Sequence, residues 1–461
     1  ISRMRTTLQN IKGKADAEKV AGLMLKADNA FTSQQTVKAI EYYKEALDLQ
    51  NKINVMYRDS EYYDVRIIAK AEQMLRLVSA APFAEQIEEL EKRYELETAQ
   101  KHWGEAQKLL EQALQIQNKI NKEFSNTSYV NYKKARELEI EINSLKAIPK
   151  ISEIAEDMKA GEAFEKQGNF DLAAEKYAAA EEMQREINTI FEKSRYASDE
   201  KLREISAKKE TAISAKRYKK IEADYQELQK MLRENQPYDK IVRLADSILV
   251  EHETLRKEYP LSAHKNEERT LALRYISYLG QNITKILDAI NNNTIRLGKD
   301  SNAWMYKTEV DQKLYSMVMS ENRSRNAGAD LPVETVSIEN ALDFCKRLSW
   351  VSARKVDLPT KAQYMEAIGS LRYADLNALS WNASNSGMKT HKVASKEANP
   401  KGFYDLLGNV EEFARDGNTF GVIGGSSQTW TDAISDIPFS AVSKSARSDR
   451  MIGFRFVIWR D

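Results

Sequence analysis

The hexapeptide LQNKIN at Leu49–Asn54 returns as IQNKIN at Ile116–Asn121 and as MQREIN at Met183–Asn188, each time 67 residues on. A weaker fourth copy, VEHETL, begins at Val250, one further step along. The residues ahead of each copy keep the same step. Ala39, Ala106 and Ala173 align, as do Tyr43, Leu110 and Tyr177, and Ala46, Ala113 and Ala180. A chain with this period folds by stacking like units, because each unit presents its apolar face to the next.

In the third copy, KAGEAFEKQGNFDLAAEKYAAAEEM, Gly168, Phe170, Ala173, Tyr177 and Ala180 resemble the tetratricopeptide pattern at its usual spacing. Small residues let two helices approach, and the aromatic fills the gap between them. The second copy has Trp103 at the Phe170 position, and the fourth keeps the spacing with Tyr238, Ile241, Ala245 and Ile248. A tetratricopeptide unit is about 34 residues long, half the period here. Each hairpin is therefore read as followed by a further, more charged long helix, giving an elongated all-α solenoid of four repeats over residues 1–293. Its functional reading is a partner-binding or spacer rod. Taken singly, the small and aromatic positions are core.

Composition narrows the classes of partner. Basic and acidic residues balance at 70 against 69, so no long-range field draws nucleic acid or an anionic membrane. The basic run Ser206–Lys220 is read as a solvated helix face, since acidic residues flank it. No stretch reaches the roughly 18 apolar residues that span a bilayer. The single cysteine, Cys345, rules out an internal disulfide or a cysteine-pair metal site. It falls on the apolar stripe Ile338, Ala341, Leu342, Cys345 and Leu348 of a helix capped by Ser337, which makes it a packing residue. Thr360 with Gln363 forms the capping box of a second helix. The alternation Phe454–Trp459 predicts a strand.

The pattern breaks near residues 290–297, and residues 294–461 read as a separate α+β domain. Its ordered blocks are Tyr306–Ser349, Leu358–Gly369, Asn385–Phe413, VIGGSS at Val422–Ser427 and IGFRFV at Ile452–Val457. They resemble the formylglycine-generating-enzyme (sulfatase-modifying factor) family in order and spacing. That resemblance implies a C-type-lectin-like fold. In active members two cysteines after the Gly-Gly-Ser motif hold copper and attack the substrate cysteine, since copper(I) needs soft thiolate ligands. Here Thr429 and Ile434 fall where those cysteines would be, so copper-dependent formylglycine generation is not expected. A second branch of the family oxidises sulfur with iron held by several histidines. This chain has only His102, His252, His264 and His391, with no helical ligand spacing among them. No P-loop, dinucleotide fingerprint or nucleophile elbow occurs.

Calcium is the cofactor the resemblance leaves open. Family members hold it with the Asn and Glu of a Gly-Asn-Val-Trp-Glu-Trp segment. Asn409 and Glu412 match, Glu411 and Phe413 replace the tryptophans, and Asn382 is the candidate third ligand. Calcium takes six to eight oxygens, more than these three residues supply, so Asn409 and Glu412 read first as ties between the loop and backbone amides.

The resulting expectation is a pseudoenzyme: a helical scaffold carrying a degenerate lectin-like head that binds a protein or a glycan, or docks into a homo-oligomer or larger assembly. Ser427, Gln428, Thr429 and Trp430 would line its groove, with Trp430 the main anchor. One alternative is a variable ligand-binding protein of the diversity-generating-retroelement type, whose receptor window would be Ser426 to Arg450. Another is an enzyme with altered chemistry on the same fold. The chain begins at Ile1, and the family's habits favour an extracytoplasmic home with a leader or anchor upstream.

Overall fold

The computed structural model describes residues 2–370, 375–437, 439–443 and 451–460. The chain forms two compact units, Ile1–Ile213 and Ser214–Asp461. No helix among the described residues is long and apolar enough to cross a membrane.

The first unit alternates short and long helices: α1 (Ser2–Thr32), α2 (Thr36–Met56), α3 (Val65–Ala99), α4 (Trp103–Glu123), α5 (Tyr132–Lys166), α6 (Phe170–Ile190) and the first part of α7 (Asp199–Arg233). The short helices have 21 residues, α1 has 31 and the other long ones have 35. The period seen in the sequence is thus the step from one short helix to the next. The charged segment expected after each hairpin is not a separate helix. It runs without a break into the first helix of the following hairpin, through Pro82 and Pro149. In α5, Leu138, Ile142 and Leu145 pack with α4, while Ala147 and Ile154 pack with α6. One long helix therefore serves two neighbours.

The repeated hexapeptide is a loop clasp. Gln117 Nε2 donates to Asn121 Oδ1 at 3.0 Å and to the Tyr129 carbonyl at 3.1 Å. Asn121 Oδ1 also accepts from the Asn131 amide at 2.8 Å. Gln50 with Asn54, and Gln184 with Asn188, repeat these contacts onto Tyr62 and Asp64, and onto Tyr196 and Ser198. Each clasp ties the end of a short helix to the capping residue of the next long one. Buried loop backbone is thereby satisfied.

The aligned alanines, Ala39, Ala106, Ala173, Ala46, Ala113 and Ala180, are all fully buried. The basic run finds acids close by, Lys208 with Glu162, Lys209 with Glu181, and Arg217 with Glu258.

In the second unit the rest of α7 is followed by α8 (Tyr238–Glu258), α9 (Glu267–Leu279) and α10 (Asn282–Asn292). Two four-stranded sheets come next. The first has the order β1-β2-β8-β3, from β1 (Thr294–Arg296), β2 (Ala303–Tyr306), β3 (Val356–Asp357) and β8 (Val457–Trp459), all antiparallel. The second has the order β6-β5-β4-β7, from β4 (Glu411–Asp416), β5 (Thr419–Ile423), β6 (Ser440–Ala441) and β7 (Ile452–Gly453), with β4 and β7 parallel. Helices α11 (Gln312–Met319), α12 (Ile338–Ser352), α13 (Lys361–Ile368), α14 (Leu376–Leu379) and α15 (Thr431–Ser435) complete it. Capping boxes start α12 at Ser337 and α13 at Thr360. Cys345 is buried in α12.

The junction read at 293/294 lies between α10 and β1, within a continuous core. Ile276, Ile283, Ile286, Leu287 and Ile290 share one apolar cluster with Tyr315, Val318, Phe344, Leu348, Phe454 and Phe456. Tyr275 donates its hydroxyl hydrogen to the Val318 carbonyl at 2.7 Å.

The strand read over Phe454–Trp459 is shorter than its alternation implies. Residues 454–456 pass between β7 in one sheet and β8 in the other. Both sides of that crossing are covered, so Phe454, Arg455 and Phe456 are all buried.

Candidate functional site

Arg455, on that crossing, is the centre of the domain's polar interior. Its guanidinium binds Glu412 with Nε to Oε2 and Nη2 to Oε1, both at 2.6 Å. Nη1 donates to the Lys307 carbonyl at 3.1 Å, and Nη2 to the Tyr404 and Asp405 carbonyls at 3.0 and 3.2 Å. Arg455 and Glu412 are both fully buried. Burial opposes the charge on Arg455, but Glu412 holds the guanidinium protonated above its ordinary range. A planar fork of five donors is what this carboxylate and ring of carbonyls require.

Two more acids stand near this pair. Glu309 accepts from the Val410 amide at 3.0 Å and from Asn409 Nδ2 at 2.7 Å. Burial, then the neighbouring Asp405 and Glu412, push its carboxyl well above the usual range. Burial likewise pushes Asp405 up to about 6, against the Ala394 amide that donates to its Oδ2 at 2.6 Å. Its Oδ1 has no partner. The folded state keeps this proton where the unfolded chain has released it, so stability falls as pH rises from about 4 to about 6. Asp405→Asn removes that penalty and suits the positive φ of 52°. The expected result is a gain of roughly 3 kcal/mol at pH 7.5 that vanishes by pH 4. Thermal melts of the two proteins across that range check it.

Asn409 orders the central loop. Its Oδ1 accepts from the His391 amide at 2.9 Å, and its Nδ2 donates to the His391 carbonyl at 3.2 Å. Its own amide donates to the Trp381 carbonyl at 2.7 Å. The His391 and Trp381 rings stack with centroids 3.8 Å apart, and Lys396 Nζ lies 4.2 Å from the Trp381 ring. Gly408 sits at φ 81°, where an added Cβ would lie 2.2 Å from the Trp381 carbonyl oxygen. Only glycine fits there.

These contacts bear on the expected calcium ligands. Both Glu412 oxygens are taken by Arg455, Asn409 Oδ1 by an amide, and Asn382 Oδ1 by the Ser384 amide at 2.9 Å. The three side chains as placed do not fit a calcium site, because each oxygen already accepts from a protein donor. Among the described residues no group of three or more His, Cys, Asp or Glu is placed to hold a metal.

The Gly-Gly-Ser turn docks on this loop. The Gly408 amide donates to the Gly424 carbonyl, and the Ser427 amide to the Asn409 carbonyl, both at 2.9 Å. Gly424 and Gly425 have φ values of 96° and 72°. Thr429 Oγ1 accepts from the Ser426 amide at 3.0 Å, and Ile434 is fully buried under Gly425. The positions read as replacements for the family's cysteines thus serve a turn and the core.

The four groove residues separate. Ser427 is buried and faces Met451, with Oγ 3.6 Å from its sulfur, so a ligand at the surface does not reach it. Gln428 and Thr429 are half-buried. Trp430, at the N-cap of α15, is 65% exposed. Gln428 Nε2 approaches the Met388 carbonyl at 3.4 Å. Met388 borders a cleft of about 320 Å³, also lined by Arg325, Asn326, Glu334, Lys389, Thr390 and Met451. Sequence reasoning missed this cleft, because its walls come from distant segments with no local pattern. It missed Glu309 for the same reason. Residues 444–450, the last part of the Ser426 to Arg450 window, lie outside the described residues.

Residues 256–460 match the sulfatase-modifying factor enzyme 1-like domain. Among solved structures, Treponema denticola variable protein 1 is similar at 23% identity over 34% of this chain and 84% of that one, with a TM-score of 0.32. PvdO from Pseudomonas aeruginosa is similar at 14% identity over 36% and 90%, with a TM-score of 0.30. No curated protein matches the chain. The C-terminal part of this chain thus carries a sulfatase-modifying factor enzyme 1-like domain.

Proposed function

We propose that the protein is a non-catalytic binding and assembly protein, whose family domain presents a recognition face around Trp430. The observation that carries this is the exposed indole, held by a turn whose neighbouring positions are committed to backbone bonds and core. An exposed aromatic on a rigid support anchors a partner at little entropic cost. Exposed Arg325 and Lys389 beside Met388 and Met451 favour a ligand with both acidic and apolar groups. A peptide fits that mixture better than a neutral glycan.

The test screens the full chain against a displayed peptide library and a glycan array, beside Trp430→Ala. The expected result is an enriched peptide class whose capture drops at least tenfold in the variant. The melting temperature should stay within about 1 °C, since surface truncations rarely exceed about 0.5 kcal/mol. Enrichment that survives Trp430→Ala would remove this face from consideration. A transition metal bound stoichiometrically by the purified chain would favour the enzyme reading instead.

A second reading, variable ligand binding, has one supporting observation. Between Thr431 and Ser443 only Ile434 is buried among the described residues, so the segment tolerates change. Sibling genes differing mainly within residues 426–450 would support it, and uniform divergence would not.

A further inference from the structure

A cleft of about 600 Å³ in the second unit is lined by residues of α7, α9, α12, β3 and β4. That volume lies in the range of pockets that hold small molecules. Four of the lining residues are basic, Lys346, Arg354, Lys355 and Arg415, against two acids, Glu268 and Asp357. In a chain whose charges balance overall, this is a local excess of positive charge around one space.

The two acids do not use up the donors. Arg415 gives only Nη2 to Asp357, whose oxygens lie at 2.9 and 2.8 Å. Its Nε is buried with no acceptor, and its Nη1 has none among the described residues. Lys355 Nζ lies 4.5 Å from the Trp459 ring and pairs with no carboxylate among the described residues. Lys346 reaches Glu268 at 3.4 Å, with both side chains about half exposed or more. Arg354 donates to the Arg233 carbonyl at 3.1 Å. Burial, then the nearby charge of Arg354, lowers the pKa of Arg460, so like charges are crowded beside this space. The remaining walls are apolar or flat: Leu342, Cys345, Ala353 and Val356, with the rings of Tyr225 and Trp350. Lys346 Nζ is 5.2 Å from the Trp350 ring, which puts a cation and an aromatic face side by side.

The geometry points to this cleft as a binding site for a small organic anion with a flat apolar body. The apolar walls and the Trp350 ring take the body. Lys346, Lys355 and Nη1 of Arg415 take the carboxylate or phosphate. A neutral ligand would leave the basic groups without a counter-charge, and an inorganic anion would leave the aromatic wall wet. The cleft shares no lining residue with the one beside Met388, so this reading and the one built on Trp430 fail independently.

The test titrates the full chain with 4-nitrophenyl phosphate and with 4-nitrobenzoate, beside 4-nitrobenzyl alcohol and inorganic phosphate. Calorimetry should give one saturable site for at least one of the two aromatic anions, and the stronger of them tells phosphate from carboxylate. The neutral alcohol and inorganic phosphate should each bind at least tenfold more weakly. Lys346→Gln together with Lys355→Gln should weaken the anion about tenfold or more. The melting temperature of that variant should stay within about 1 °C, because both lysines are exposed. The bound nitrophenyl group should quench indole emission, and Trp350→Phe should remove most of the quenching. Trp430→Ala should bind the anion as the parent does. Saturable binding of neither anion overturns the proposal. So does binding that survives the double lysine variant, binding that the alcohol matches, or quenching that survives Trp350→Phe.

Discussion

A fragment of residues 294–461 should fail to reach a cooperative fold, whereas one of residues 214–461 should unfold in a single sharp transition. The shorter fragment lacks Ile276, Ile283, Ile286, Leu287 and Ile290, which share the core of the sheets and α12. At about 1.5–3 kcal/mol per buried aliphatic side chain, the loss is on the order of 10 kcal/mol. That equals the whole stability of a typical domain, about 5–15 kcal/mol. The Tyr275 bond to Val318 is lost as well. Calorimetry and dye binding distinguish the outcomes. A shorter fragment that melts cooperatively within about 5 °C of the longer one would show that α9 and α10 are accessory, and that the domain truly begins at β1.

Arg455→Leu should destabilise the second unit by about 3–5 kcal/mol, because it leaves the Glu412 carboxylate buried with no counter-charge. Four backbone carbonyls lose the guanidinium as a donor at the same time. Arg455→Lys should rescue little, since an ammonium cannot bind both carboxylate oxygens and reach carbonyls on two sides. Arg455→Leu with Glu412→Leu should recover part of the loss, as paired replacement of buried ions by apolar residues commonly does. Urea melts of the four proteins measure these differences. A double variant no better than Arg455→Leu would place the cost in the carbonyls rather than in the stranded charge.

Much of the fold was legible because its signals are local. The 67-residue step, the capping residues Ser337 and Thr360, and the packing role of Cys345 all follow from spacing within one segment. The unbroken long helices were not legible, since Pro82 and Pro149 argue for a stop that tertiary packing overrides. Nor was the role of the repeated hexapeptide. Its Gln and Asn bind a loop carbonyl and amide 10 to 12 residues further on, which the spacing does not reveal. At the candidate site, the motif marked Glu412 and Asn409 as important, but their partners could not be read. Arg455 lies 43 residues from Glu412, and Glu309 lies 100 from Asn409. Exposure of Trp430 and burial of Ser427, three positions apart, depend on how the turn docks on Gly408 and Asn409.

The hairpins are also not interchangeable. Tyr177 packs on Gly161, whose added Cβ would fall 2.5 Å from the ring. The same two places hold Tyr43 and Ala27 one way round, but Leu110 and Tyr94 the other. Each pair shares out its volume differently, with the bulk on the short helix in two repeats and partly on the long helix in the third. A chain that folded one repeat out of step would bring Tyr94 against Tyr177, two rings in a space built for one. Near-identical neighbours invite such slips during synthesis and refolding. Unequal side-chain sizes at one matched position therefore set a steric penalty on the wrong neighbour.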